Sequence, residues 1–231
     1  MNKHALVIGH RGWPTRYPDN TLSGFLAASD VVDMVEMDVR RSSDGKLILA
    51  HDPLIGGLPV HATAWSELAE LDIGGGHHPA LLDEVLAAIP GIPAQLEIKN
   101  APGEPGFEPD HRLALEASER ARKGDVVTSF NRSTIEAVRK DFPDVPTGLA
   151  VGFVGSIEGT VDYCAEWGHA ALVPAAGLVD GWIAEALDAG LAVYPWTVND
   201  SDVAGELVEA GVSGIITDDP ESIARVVRGD R

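Results

Sequence analysis

The chain has 231 residues, 45% apolar and 23% charged, with a formal net charge of −19. This is a soluble globular composition with material for a large core, at a length ordinary for a barrel that folds as one unit. The acidic balance excludes a polyanionic partner such as nucleic acid, because no basic surface is present to release its counterions. An anionic substrate would need something local to reverse the field, as a bound divalent cation does.

Taken in chain order, short β-branched runs alternate with helical stretches. The first run, "ALVIGH", leads through a Gly- and Pro-rich turn into "NTLSGFLAASD". The opening "MNKHALVIGH" is too short and lacks the cleavage pattern of a secretory leader, and no segment approaches the ~20 apolar residues of a membrane span. The expectation is a cytoplasmic protein without stable membrane insertion. "MVEMDVRR" and "KLILAH" form a hairpin-like arm around "SSDG", followed by helical "WSELAELD" and "ALLDEVLAAI". Six more pairs follow: "PAQLEIK" with "HRLALEASERAR", "DVVTSF" with "RSTIEAVRKDF", "PTGLAVG" with "SIEGTVDYCAEWG", "AALVPA" with "GWIAEALDAG", "LAVYPWTV" with "SDVAGELVEAG", and "VSGIIT" with "DPESIARVVRG".

Eight strand-to-helix units, with the arm counted in the second, predict an α/β chain folded as a (β/α)8 TIM barrel. No G-x-G-x-x-G or Walker pattern supports a nucleotide fold. With no linker or low-complexity tract, residues 1–231 read as one domain. Gly168, Gly190 and Gly211 sit where helices end, and Ser133, Asp180, Ser201 and Asp219 near where helices begin, as caps do. The lone cysteine, Cys164, excludes an internal disulfide and reads as a small buried apolar group on a helix.

In a barrel the C-terminal strand ends line the active site. His10 and Arg11 end the first strand. Glu36 and Asp38, two apart in "VEMDV", share one face, with Val35, Met37 and Val39 on the other. His51 and Asp52 end the arm. Glu97 and Lys99 share a face of "LEIK", with Leu96 and Ile98 packing outward, and Trp196 ends the seventh strand. The long loop "NAPGEPGFEPDH" (Asn100 to His111) follows a strand and belongs to the same mouth. Three carboxylates facing one another need protons or a cation, and oxygen donors suit a hard ion, Mg²⁺ or Ca²⁺. Two histidines can serve as acid and base, and Arg11 and Lys99 can bind an anion. The plainer reading is that E-x-D solvates a strand end and that Glu97 and Lys99 form an ion pair within the barrel. His77 and His78 read as loop residues, and His4, His61, His111 and His169 as structural or exposed.

Together these residues resemble the glycerophosphodiester phosphodiesterases. The likeness rests on "HRG" (His10 to Gly12), "PDNT" (Pro18 to Thr21), "EMD" (Glu36 to Asp38), "HD" (His51, Asp52), "LEIK" (Leu96 to Lys99), "SF" (Ser129, Phe130), "WTVN" (Trp196 to Asn199) and "TDDP" (Thr217 to Pro220), in the family's order along nearly the whole chain. It implies a TIM barrel that hydrolyses small glycerophosphodiesters, such as glycerophosphocholine or glycerophosphoethanolamine, to sn-glycerol 3-phosphate and an alcohol. It implies His10 and His51 as general acid and base, Glu36, Asp38 and Glu97 as ligands of a divalent metal, Arg11 and Lys99 on phosphate, and Trp196 as an aromatic wall on the glycerol side. Asp19 stands where the family more often has Glu, and the insertion after the second strand unit is reduced to about "DIGGGHHPALLDEVL". The alternatives are a barrel phosphodiesterase acting on lysophospholipids or phosphoinositides, a glycosidase, and an inactive binding paralogue. A paralogue of that kind would be expected to lack one of the mapped groups, and none is missing.

Overall fold

A computed structural model describes residues 5–152, 159–178 and 181–229. Strand β1 (Leu6–His10) leads to helix α1 (Leu22–Ser29). Strand β2 (Met34–Arg41) runs on into an arm made of β3 (Leu47–Leu49), β4 (Leu54–Ile55), β5 (Leu58–Pro59), α2 (Trp65–Leu68) and β6 (Ala80–Leu81), which ends at α3 (Leu82–Ala88). Then come β7 (Ala94–Ile98), α4 (Arg112–Ser118), β8 (Val126–Ser129), α5 (Arg132–Asp141), β9 (Thr147–Val151) and α6 (Thr160–Trp167). The chain closes with β10 (Ala171–Pro174), α7 (Ile183–Asp188), β11 (Ala192–Val193), α8 (Ser201–Glu209), β12 (Gly214–Thr217) and α9 (Pro220–Arg228).

Eight of these strands pair in parallel in the order β11-β10-β9-β8-β7-β2-β1-β12. The ring is completed where the backbone N–H of Ser213 donates to Val193, that of Ile216 to Pro195, and that of Val198 to Ile216. The fold is therefore the (β/α)8 barrel that the alternation predicts. The arm returns antiparallel along β2, with Val39 opposite Leu49 and Arg41 opposite Leu47. It carries its own small core of Ile48, Ala50, Ile55, Val60 and Leu68.

The period of two along each strand separates two cores. Val35, Met37, Val39, Leu96 and Ile98 face outward and pack under the helices with residues such as Phe25. Each fully buried side chain of this kind contributes roughly 1.5–3 kcal/mol. The barrel interior holds a smaller plug of Ile8, Met34, Ala150, Val173 and Ile216. Above that plug, toward the C-terminal strand ends, the inward residues become polar. Cys164 lies fully buried in the outer core, and burial raises its thiol to about 11, so it packs as an apolar group.

Gly168, Gly190 and Gly211 have φ of 68°, 83° and 89°, as helix-ending residues do. Thr21 caps α1 and Asp219 caps α9. Ser133 and Ser201 do not cap. Both lie inside their helices, and the caps are Asn131, which accepts from the N–H of Ser133, and Asp200, which accepts from those of Asp202 and Val203. Asp180 and His4 lie outside the described residues. Among the described residues, no helix is long and apolar enough to cross a membrane.

His169 has a structural part. It is 5% exposed, its Nδ1 lies 2.7 Å from the Thr147 hydroxyl, and its Nε2 has no hydrogen-bond partner among the described residues. Burial lowers its pKa to about 4. The unfolded chain then binds more protons between pH 4 and the ordinary histidine value near 6.5, so stability is lost as pH falls through that window. Urea unfolding at pH 7 and pH 4.5 should show the wild type losing on the order of 1 kcal/mol more than His169→Gln. Equal losses would show that His169 does not set the acid limit.

Candidate active site

His10 ends β1 in register with Glu36, and Asp38 is in register with Glu97 of β7. These pairings place the three carboxylates and His10 on neighbouring inward positions of three adjacent strands. Ligand atoms of Glu36, Asp38 and Glu97 lie within 4.8 Å of one another. The chain then turns sharply. Arg11 adopts a left-handed φ of 51°, and Gly12 follows at 91°, where a Cβ would sit 2.9 Å from the carbonyl carbon of Gly24. Only glycine fits that close approach at that angle. The turn aims the Arg11 N–H at Glu36 Oε2 (3.0 Å) and sets its guanidinium Nε 3.0 Å from Asp38 Oδ2. Asp19 accepts from Arg11 Nη1 at 2.9 Å, so its job is to hold the guanidinium. Asn20 clasps Asp38 from the same loop, donating from Nδ2 to Oδ2 (2.9 Å) and accepting the Asp38 N–H at Oδ1 (3.2 Å).

Lys99 enters from the end of β7, its Nζ 2.8 Å from Asp38 Oδ1 and paired with Glu97. The ion pair read as the plainer alternative is thus present, but within the carboxylate cluster. Beside it the Phe130 ring stands 5.6 Å from Trp196 in an edge-to-face contact, and Trp196 Nε1 donates to the Val173 carbonyl at 3.0 Å. A narrow cleft opens between this aromatic wall and the polar cluster, lined by His10, Glu36, His51, Lys99, Phe130 and Trp196 among others.

All the site residues expected from the sequence therefore meet at one mouth. His51 ends the arm, as its place in "KLILAHD" predicts. It follows β3, and the Ala50 N–H donates to the Asp38 carbonyl at 3.0 Å, so the returning arm delivers it beside β2. Arg40 fixes that point by donating to the His51 carbonyl from Nε (3.0 Å) and Nη2 (2.7 Å), and it pairs with Glu104 of the long loop. The His51 ring, 43% exposed, has its Nδ1 2.8 Å from Asp52. Trp196 lies beyond β11 rather than in it. The proline at position 195 lacks the N–H a ladder needs, and the chain continues through a single bridge to Ala175.

Asp218 is a site residue that the strand and motif pattern does not single out. Asp218 Oδ1 lies 2.6 Å from His10 Nδ1. Asn199 holds it in place, donating to Asp218 Oδ2 (2.8 Å) and accepting the Asp218 N–H (2.8 Å). The same rule that marks His10 would have found it, since Asp218 follows the last residue of β12. Its neighbour Asp219 caps the next helix, and that explains "TDDP" without the first aspartate.

The electrostatics follow from burial. For Glu36, burial and then the charges of Asp38 and Glu97 push the carboxyl well above the usual range. For Asp38, burial acts upward but is outweighed by Lys99 and Arg11, and the net shift is downward. Burial likewise pulls Lys99 down, and Glu97 with Asp38 more than restores it. Burial pushes Asp218 up, and its bonds to His10 and Asn199 bring it below the usual range. Glu36 Oε1 is buried with no hydrogen-bond partner among the described residues. An orphaned buried carboxylate oxygen, beside two more carboxylates that Arg11 and Lys99 only partly neutralise, fits a hard divalent cation.

Residues 10–222 match the sequence profile of the glycerophosphoryl diester phosphodiesterase family. A glycerophosphodiester phosphodiesterase of Caldanaerobacter subterraneus subsp. tengcongensis is 29% identical, over 97% of this chain and 98% of its own. Among solved structures, a glycerophosphodiester phosphodiesterase from Parabacteroides distasonis superposes with a TM-score of 0.87 at 22% identity, covering 99% of each chain. An Oleispira antarctica phosphodiesterase, solved in complex with the product sn-glycerol-3-phosphate, gives 0.84 at 23% identity over 96% of each chain. At these identities the two structures speak for the fold.

Proposed function

The chain belongs to the glycerophosphoryl diester phosphodiesterase family, and on that premise we propose that its barrel, acting as one catalytic domain, hydrolyses glycerophosphodiesters to sn-glycerol 3-phosphate and an alcohol. The observation that carries this reading is the pair of histidines that line one cleft with an Arg–Lys–carboxylate cluster, one partly buried and one exposed. His10 and His51 are the proposed acid–base pair, and Arg11, Lys99 and Trp196 the proposed substrate contacts. Glu36, Asp38 and Glu97 would hold the cation, Mg²⁺ or Ca²⁺, and when bound it supplies Lewis-acid stabilisation of phosphoryl charge.

The chain's own groups divide the rest of the work. Arg11 and Lys99 stand where the two non-bridging phosphoryl oxygens gain charge, and release part of their hold on the carboxylates to meet it. Phe130 and Trp196 close the cleft on the glycerol side and exclude water from it. His10, 13% exposed, takes the proton of the nucleophile at Nε2. The nucleophile is water, or the glycerol 2-hydroxyl, in which case the cyclic phosphate it forms is opened by a water in a second step to give sn-glycerol 3-phosphate. Asp218 fixes the tautomer by accepting from Nδ1–H, which leaves Nε2 free as the base. His51, at the open edge, gives its proton to the departing alcohol. Incubation with glycerophosphocholine should yield sn-glycerol 3-phosphate and choline in equal amounts, and glycerol with phosphocholine would overturn the reading.

Asp218 is the positioning residue of this scheme. Asp218→Asn should lower kcat about 10- to 100-fold, less than loss of the histidine itself, with KM nearly unchanged. A rise in KM at constant kcat would show instead that Asp218 only shapes the binding site.

A further inference from the structure

The ring of His51 is open to solvent, and its one described partner, Asp52, is more open still. Two exposed side chains on a surface turn do not hold each other to the geometry that proton transfer needs, where a misplacement of about 1 Å is enough to matter. The place of the ring is therefore inherited from the main chain beneath it. The last ladder contact of the returning arm is the one from the Ala50 N–H to Asp38, and regular pairing resumes only at Leu54. Between them, the carbonyl of His51 takes both of its described hydrogen bonds from the Arg40 guanidinium. We propose that Arg40 is the positioning residue of the proton donor, and that Glu104 of the long loop keeps Arg40 at that task. The inference rests on the role of His51 in the functional reading above.

Arg40 continues the stripe of Glu36 and Asp38, since every second residue of β2 shares a face. It is 6% exposed, yet Asp38, its neighbour in the stripe, is already taken by Arg11 and Lys99. A buried guanidinium stays charged, and burial is costly unless its donors are met. Its partners are the His51 carbonyl, reached by Nε and Nη2, and Glu104 Oε2, 3.2 Å from Nη2. The planar fork fixes that carbonyl in direction as well as distance, which a point charge on a flexible stem does not. Glu104 is held in turn by the foot of its loop. The next residue of β2, Arg41, points the opposite way and its Nε donates to Glu108 at 2.7 Å. Asn100 donates to the Glu108 carbonyl (2.9 Å) and accepts the Glu108 N–H (2.7 Å). Gly106, at φ 85°, rests on the arm itself, where a Cβ would come 2.9 Å from the Cβ of His61. The last two residues of β2 thus tie down the loop, and the loop closes over the arm that carries the acid.

The test separates a misplaced acid from a damaged fold. Arg40→Met keeps an unbranched stem and removes the fork. It should lower kcat about 10- to 100-fold for glycerophosphocholine, whose leaving alcohol needs a proton. The p-nitrophenyl diester, whose leaving group needs none, should stay within about threefold. In the His51→Ala background the same substitution should lower either rate by less than about twofold, because a residue that acts through His51 has nothing left to place. Glu104→Ala, at a 44% exposed loop position, should show the same selective loss at about three- to tenfold, and it carries the test should the buried substitution not fold. Wild-type kcat in these variants, losses of equal size with both diesters, or a full further loss on top of His51→Ala would overturn the inference. Equal losses with both diesters in His51→Ala itself would overturn the acid of the functional reading, and this inference with it.

Discussion

His51→Ala lowers kcat for glycerophosphocholine by about 10²–10⁴-fold, the span of a lost general acid. The size follows from where the ring stands. It is 43% exposed on the arm, where it lines both the cleft and a groove beside it, with Asp52 on its Nδ1. Little packing is lost with it, since what ties the arm down is the backbone carbonyl of residue 51 under Arg40, and alanine keeps that carbonyl. The variant should therefore fold with an unchanged melting temperature. A deficit caused by a missing acid shrinks when the leaving group needs no proton, so a p-nitrophenyl diester should recover most of the rate in His51→Ala. His10→Ala should lose a similar factor that the p-nitrophenyl group does not restore, because there the proton comes from the nucleophile. A fully active His51→Ala enzyme would remove this histidine from the chemistry. Recovery in His10→Ala instead would exchange the two roles.

Chelation has the second large effect. EDTA should lower turnover by at least about 10³-fold, and added Mg²⁺ or Ca²⁺ should restore it, since several kcal/mol of charge stabilisation at the phosphoryl group goes with the cation. The protein side of this prediction is Glu36. Its Oε1 is buried without a partner among the described residues, and its carboxyl is pushed up by burial and by Asp38 and Glu97. A cation that binds only the folded chain raises the melting temperature, by the equivalent of about 2.7 kcal/mol at one hundred times Kd. Glu36→Gln keeps the shape and removes one charge, so it should lose both the activity and the thermal shift. A thermal shift retained in Glu36→Gln, or turnover indifferent to EDTA, would take the carboxylate cluster out of the scheme.

Much of this was legible in the sequence because strand periodicity is a rigid rule. Two residues apart in "VEMDV" and "LEIK" means one face, and the C-terminal strand ends of a barrel mean one mouth, so the cluster of Glu36, Asp38, Glu97 and Lys99 follows from spacing alone. Other parts depended on geometry that spacing does not carry. His51 reads as the end of the hairpin-like arm, and only the register of Leu49 on Val39 shows how far along β2 the arm carries it. Asp19 gains its meaning from the left-handed turn at Arg11, which brings two residues eight apart into a 2.9 Å contact. Asp218 was hidden beside a helix cap, and its partner Asn199 comes from the preceding strand unit. The groove beside the cleft joins three stretches, around residues 18–20, 49–56 and 73–79, that no local pattern connects. The misplaced caps, Asn131 for Ser133 and Asp200 for Ser201, miss by one or two residues because several side chains near each helix start can accept a hydrogen bond.

The most direct test of the central claim, a cation site of three carboxylates set between two histidines, is anomalous scattering from crystals grown with Mn²⁺. A peak coordinated by oxygens of Glu36, Asp38 and Glu97, with the cleft toward Phe130 and Trp196 left open for substrate, is the predicted result. No peak there in an enzyme that still turns over glycerophosphodiesters would contradict it.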